Sequence, residues 1–355
     1  MKHSSSHTEN SRNESIKRRT GNYASNISQA FMTHRRLSHA LGAVSDQYLS
    51  QLIRKPVLRH FPPAVMIEPT NICNLKCPLC LCGNGQLKRP KGMMPLERFI
   101  RIVDQVRQKT GMLILWNQGE PFLNPAFYEM MEYAAAQGLY TMTSTNASLE
   151  LDLPRIVRSG LNKIIISMDG ISKHSYDSYR VNGNFELVLS NMRELVRLKN
   201  SEPGSKLKVV WQFIIMKHNE HEIDEVKRLA KDMGVDRLEF KTVQIYQPED
   251  IAFLPTQHKH SRYLSSGAAF ELKTTLKNRC RRLWTQPVIN WDGEMSICCY
   301  DKDAMFKIGN IDNSTFEELW LGPAMQKMRR AILNNRKAIE ICRNCGEGIV
   351  QRVIK

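Results

Sequence analysis

No apolar run in this 355-residue chain approaches the roughly 20 residues a membrane-spanning helix needs. The longest runs sit in MLILW (112–116) and KIIISM (163–168). No signal-peptide core follows Met1 either, because MKHSSSHTENSRNESIKRRTGN is polar and basic. Glu9 and Glu14 count against an organelle transit peptide, so a cytoplasmic protein is expected. Much of the net charge of +16 sits in the first sixty residues (KRR, HRR, RKPVLRH), and the remainder is scattered. No RNP-like aromatic motif or zinc-finger spacing accompanies it, so nucleic acid is not the expected partner. No repeat of fixed period is visible. The most informative absence lies between Cys82 and Cys280, where there is no cysteine at all. The nine thiols are bunched instead at 73, 77, 80, 82 and at 280, 298, 299, 342, 345. Such bunching in a cytosolic chain suggests metal ligation rather than a disulfide framework.

What is present is the composition of an ordinary folded protein, 42% hydrophobic and 24% charged. Residues 1–33 are expected to be a disordered, basic segment. Residues 34–62 read as a helical lead-in, with Leu37, Leu41, Val44, Tyr48 and Leu52 at helical spacing and expected to pack on the chain's own domain. A basic amphipathic helix of this kind can alternatively lie on a membrane.

An alternation follows. Residues 64–70, 112–118, 139–146, 163–170, 208–216 and 236–244 are short, rich in β-branched and aromatic residues, and closed by turn residues, as strands are. Helical patterns lie between them at 96–108, 125–137, 153–159, 185–199 and 223–232. This order predicts an α/β fold with a parallel sheet curved into a partial (β/α)6 TIM-like barrel over residues 63–250. Residues 251–355 are expected to form a small extension. In it PVINWDGEMSICC makes a hairpin about Asp292-Gly293, and FEELWLGPAMQKMRRAIL a helix broken at Gly322-Pro323.

The stretch NICNLKCPLC places Cys73, Cys77 and Cys80 in a C-x3-C-x2-C spacing directly after the first predicted strand. A four-iron cluster ordinarily takes four thiolates. Three leave one iron with an open position, as a catalytic zinc site keeps one position free. The second predicted strand ends in NQGEP, with Gly119, Glu120 and Pro121; the third in STN, with Ser144 and Asn146; the fourth in SMDG, with Ser167 and Asp169. The ends of barrel strands are where βα loops carry function.

Over Pro63 to Val243 this pattern resembles the radical S-adenosylmethionine (radical SAM) superfamily. The resemblance implies that Cys73, Cys77 and Cys80 hold a [4Fe–4S] cluster whose open iron chelates SAM. It also implies that reduction cleaves SAM to methionine and a 5′-deoxyadenosyl radical, which takes a hydrogen atom from a substrate. Gly119-Glu120-Pro121 match the family's G-G-E-P loop for the SAM amino group, with Gln118 in place of the first glycine. Ser144, Asn146, Ser167 and Asp169 resemble its ribose and carboxylate contacts, and Arg180 in YRVNG is a candidate partner for the SAM carboxylate. An electron donor such as flavodoxin or ferredoxin is implied. Cys82 falls outside the ligand spacing and is read as a bystander.

Cys280, Gly293 and Cys298 resemble the opening of the SPASM auxiliary-cluster domain, and Cys342 and Cys345 add a C-x2-C pair. The implied arrangement is a shortened SPASM or twitch-like domain. One auxiliary [4Fe–4S] cluster would be held by Cys280, Cys298, Cys342 and Cys345, with Cys299 spare or exchanged with Cys298. A zinc ribbon on the same four thiols is the alternative. Asp301 in CCYD is expected to support the cluster loop, with proton transfer as a secondary role. Lys241 is a candidate to meet an anionic substrate.

The reaction expected is therefore radical oxidation or epimerisation of a small molecule, sugar-type substrates included. The alternative is a maturase acting on a ribosomally made peptide. A non-catalytic metal scaffold with a basic nucleic-acid face is disfavoured, since it has no use for an open iron position beside a GEP loop.

Overall fold

The computed structural model describes Phe31, residues 33–267 and residues 269–346. The disordered segment expected over residues 1–33 thus lies almost wholly outside the described residues. Six parallel strands form the core: β1 (Ala64–Ile67), β2 (Met112–Ile114), β3 (Tyr140–Thr145), β4 (Lys163–Ser167), β5 (Lys208–Ile215) and β6 (Arg237–Thr242). They are hydrogen-bonded in chain order, with Val65 opposite Leu113, Leu113 opposite Thr141, and Trp211 opposite Leu238. The lead-in is helix α1 (His34–Ile53). Helices α2 (Leu96–Val106), α3 (Phe127–Ala136), α4 (Leu153–Arg158), α5 (Phe185–Ser201) and α6 (Ile223–Met233) connect successive core strands. This is the partial barrel expected from the alternation.

The period of two along a strand separates two environments. Val65, Leu113, Ile164, Val209, Trp211 and Phe213 point outward and are buried against Phe99, Ile102, Val106, Met131 and Met192 of the helices. Alternate residues Met66, Ile114, Met142, Gln212 and Ile214 point inward and line a cavity.

The extension does not stand apart from this sheet. Its hairpin, β9 (Val288–Ile289) and β10 (Glu294–Ser296), pairs through β9 in parallel with β1 and continues through β11 (Lys307–Asn310). The nine-stranded sheet therefore runs β11-β10-β9-β1-β2-β3-β4-β5-β6. Gly293 turns the hairpin at φ +87°, a conformation that only glycine adopts at no steric cost. A separate hairpin joins β7 (Tyr263–Ser266) and β8 (Ala269–Leu272).

The helix α1 corrects one expectation. It packs through a polar face: Arg36, Ala43, Asp46 and Ser50 are buried. The Arg36 guanidinium donates to the carbonyls of Arg107, Gln137 and Gly138, and Asp46 accepts from the Arg59 backbone and from His60. These bonds hold the opposite, apolar stripe outward, so that Leu41, Tyr48 and Leu52 are 64%, 67% and 80% exposed. No helix among the described residues is long and apolar enough to cross a membrane.

Candidate active site

The cavity, of about 960 Å³, opens at the carboxyl ends of the core strands and is bounded on its far side by the extension. Cys73, Cys77 and Cys80 all line it, carried by the loop that leaves β1. Cys77 is buried, which pushes its thiol up to about 11, with the neighbouring thiols adding to the shift and the Arg180 cation opposing it. An Arg180 Nη1–Cys77 Sγ contact of 4.0 Å places that cation beside the sulfur. Cys82 is buried, donates to the Asn71 carbonyl at 3.0 Å and contacts Cys73. The thiol read as a bystander is therefore a packed neighbour of the triplet.

The loop after β2 is zipped onto the cysteine loop. The Glu120 N–H donates to the Ile72 carbonyl at 2.8 Å. Gly119 lies at φ +74°, and a Cβ there would meet the Ile72 and Thr70 carbonyls at 2.6 Å. Only glycine allows the two backbones to approach so closely. Glu120 is fully buried; its Oε1 accepts from Thr145 Oγ1 at 2.8 Å and its Oε2 from the Asn146 N–H at 2.7 Å. Burial pushes its carboxyl up to about 7. Pro121 opens the short turn that follows and is buried.

Asn146 donates to Asn74 Oδ1 at 2.9 Å and contacts Cys73 Sγ at 3.9 Å, joining the end of β3 to the cysteine loop. Ser144 and Ser167, 3.5 Å apart on neighbouring strands, present hydroxyls to the cavity. Asp169 is placed differently from the expectation. It is fully buried and not among the cavity-lining residues. One oxygen accepts from the Ile214 N–H at 2.6 Å and the other from Arg180 Nε at 2.7 Å and Nη2 at 2.6 Å. Its carboxylate positions Arg180, and Arg180 is the group that reaches the cavity.

On the extension, Cys280, Cys298, Cys342 and Cys345 are all buried. Burial raises the Cys298 thiol well above its ordinary range, and the neighbouring Cys299, Cys280 and Cys345 add to the rise. Arg336 lies against Cys345, Cys280 and Cys342, a cation facing three of the four thiols. Buried thiols gathered around a guanidinium suit a group that takes them as thiolates. Cys299 turns the other way and lines the core cavity. Among the described residues no group of three or more His, Cys, Asp or Glu side chains is placed to hold a single metal ion. Asp301 accepts from the Met305 and Phe306 N–H groups at 2.8 and 3.0 Å and does not line the cavity. It caps its own loop.

Sequence reasoning missed the far wall of the cavity, to which Arg262, Arg282, Tyr300 and Lys302 contribute. Only Lys241 of that wall was singled out. Tyr300 lies within the CCYD stretch, the other three stand in no motif, and their meeting depends on how the extension folds back.

The radical SAM superfamily model matches residues 67–233, and SPASM, an iron–sulfur cluster-binding domain, matches residues 280–346. The chain belongs to the radical SAM superfamily. The radical SAM match implies a [4Fe–4S] cluster and SAM, and the SPASM match implies auxiliary iron–sulfur clusters; the placing of the two cysteine groups suits both. The mycofactocin maturase MftC of Mycobacterium tuberculosis is 28% identical over 176 residues, 49% of this chain and 43% of MftC. The PqqA peptide cyclase of Bradyrhizobium diazoefficiens is 25% identical over 187 residues, 52% of this chain and 47% of the cyclase. The matched region thus spans under half the length of these relatives. Among solved structures, Streptococcus suis SuiB bound to S-adenosylmethionine superposes with a TM-score of 0.58 at 15% identity, covering 76% of this chain and 68% of SuiB, a likeness of fold.

Proposed function

We propose that this radical SAM protein is an enzyme that abstracts a hydrogen atom from a peptide and carries one auxiliary cluster for the electrons that follow. The observation that carries the reading is the seating of the Cys73-Cys77-Cys80 loop against the Gly119-Glu120 loop at one wall of the cavity. Bound there, the cluster and SAM supply a carbon-centred radical through one-electron reductive cleavage.

The chain's own residues do the rest. Cys73, Cys77 and Cys80 would hold the cluster and leave one iron open. Glu120 fixes the ends of β2 and β3 together, and Arg180, held by Asp169, presents a cation beside Cys77. Ser144 and Ser167 offer hydroxyls to the ribose side. Inward Met66, Ile114 and Met142 keep that wall apolar, which limits water where a radical must survive. Cys280, Cys298, Cys342 and Cys345 would hold the auxiliary cluster, with Cys299 left as a cavity-facing thiol.

The substrate class departs from the small, sugar-type metabolite expected first. Relatives named as a maturase and as a peptide cyclase support the peptide alternative. We place the enzyme in the cytoplasm, with flavodoxin or ferredoxin as its electron donor.

Anaerobic reconstitution tests this reading. About eight iron atoms per chain, four for each cluster, are expected. Dithionite should then release 5′-deoxyadenosine from SAM. A colourless protein that holds zinc and leaves SAM intact would overturn it.

A further inference from the structure

The cavity has two chemically different walls. One carries the cysteine triplet, Glu120 and the hydroxyls. The other is cationic: Lys241 at the end of β6, Arg262 just before β7, Arg282 at the start of the short helix Arg282–Thr285, and Lys302 three residues after Cys299. Among the described residues, the one carboxylate that lines the cavity is Glu120, and both of its oxygens are taken by Thr145, Asn146 and Phe122. The remaining lining cation, Arg180, already has Asp169.

Among the described residues, the partners of Arg262 and Lys302 are neutral. Arg262 is buried, and its Nε and Nη2 donate to the hydroxyl and carbonyl of Thr242, both at 2.8 Å. Lys302 donates to the Tyr246 hydroxyl and lies 4.6 Å from the centre of that ring. Lys241 has a carboxylate only at 3.5 Å, on Glu239, which it shares with Lys163 and Arg237. Cations gathered at a concave surface of low dielectric focus a positive potential, and a buried guanidinium without a charged partner is costly. An occupant that brings negative charge would offset that cost.

We propose that this wall binds carboxylate side chains of the substrate, so that the segment entering the cavity is an acidic peptide; the proposal rests on the peptide reading above. Arg262 supplies a guanidinium cation, oriented by Thr242 through its Nε–Nη2 edge, and Lys241 and Lys302 supply point charges at the half-buried rim. Glu or Asp residues near the reacting position would then fix its register, while the cysteine-bearing wall stays free for SAM.

The test uses the reconstituted holoenzyme with SAM and two fluorescein-labelled probes, the synthetic peptides Glu-Ala-Glu-Ala-Glu and Gln-Ala-Gln-Ala-Gln. Binding is read by fluorescence anisotropy at physiological salt. Two double variants of equal charge change are compared: Lys241→Gln/Lys302→Gln in the cavity, and Lys227→Gln/Arg228→Gln on the exposed face of α6. The acidic probe is expected to bind about tenfold tighter than the neutral one. The cavity variant should weaken the acidic probe by about tenfold and leave the neutral one unchanged, whereas the exterior variant should move neither by more than about twofold. Iron content should stay constant throughout.

Equal binding of the two probes, or no binding of either, overturns the proposal. So does an equal loss in both double variants, which would mean diffuse attraction to a basic protein. Loss of iron in the cavity variant would assign these cations to the clusters and also overturn it. Failure to form 5′-deoxyadenosine would instead remove the enzymatic reading, and the binding comparison would remain interpretable by itself.

Discussion

Arg89, from the loop that follows the cysteine triplet, closes a two-pronged pair on Glu68 at the end of β1, with Nη1–Oε1 2.9 Å and Nη2–Oε2 2.8 Å, both residues buried. The same carboxylate accepts from Asn117 Nδ2 at 3.0 Å, the Gln118 N–H at 3.1 Å and the Trp291 N–H at 3.4 Å. Arg89 Nε in turn donates to the Lys302 carbonyl at 2.7 Å. One ion pair therefore ties β1, the GEP loop, the cysteine loop and the extension together. Removing one partner of a buried pair leaves a charge without compensation, at a cost of about 3–5 kcal/mol. Arg89→Ala should lower the thermal midpoint sharply, and Glu68→Leu/Arg89→Met should recover much of the loss. A double variant as unstable as the sum of its singles would contradict the pairing.

Gly119→Ala should separate two loops rather than unfold the protein. The left-handed conformation alone costs a side chain about 1–2 kcal/mol, before the 2.6 Å approach to two backbone carbonyls is relieved. SAM affinity, read by equilibrium dialysis, is expected to fall by at least about tenfold while the circular dichroism spectrum is kept. Unchanged SAM affinity would show that the close approach is dispensable.

Glu120 predicts a pH dependence with a defined sign. Its carboxyl holds a proton more tightly in the folded chain, at about 7, than when unfolded, near 4.5. The protonated side chain therefore contributes stability below the unfolded value, and this is lost as pH rises through 7, a change of about 3 kcal/mol. Glu120→Gln stays neutral, so its thermal midpoint should gain on the wild type between pH 5 and pH 8. The measurement is that difference at several pH values; a constant gap would exclude Glu120 as the titrating group.

The two cysteine groups should separate by function. In Cys77→Ala, SAM cleavage should be abolished with about four iron atoms retained per chain by the extension. In Cys342→Ala, substrate-free SAM cleavage should persist while peptide turnover is lost. If both variants lose both activities equally, the assignment of one group to SAM and the other to later electron transfer is wrong.

The substitution of Gln118 for the family's first glycine has a local account. Its N–H donates to Glu68, and its side chain folds onto the Asn117 carbonyl, so the position is fixed by hydrogen bonds and needs no glycine backbone. The element order was legible for a similarly local reason. Alternating residues such as Val65 and Met66, or Trp211 and Gln212, belong to opposite sides of a strand whatever the strand pairs with. Helix faces such as Phe99-Ile102-Val106 show their period of 3.6 within eleven residues. Cysteine spacing is equally local, because the C-x3-C-x2-C ligands share one loop.

By itself, the sequence determined which core strands and connecting helices form, in what order, and that seven of the nine cysteines fall into two groups spaced for metal chemistry. The tertiary structure alone decided that the extension's hairpin pairs in parallel with β1, that Cys298 turns to the buried thiols while its neighbour Cys299 faces the cavity, and that α1 buries its polar face. It also brought Lys241, Arg262, Arg282 and Lys302 to one wall from four separate segments. Local patterns record which residues share a face. Which faces meet depends on contacts between residues far apart in the chain, where packing and the pairing of buried charge choose among arrangements that local propensity leaves equal.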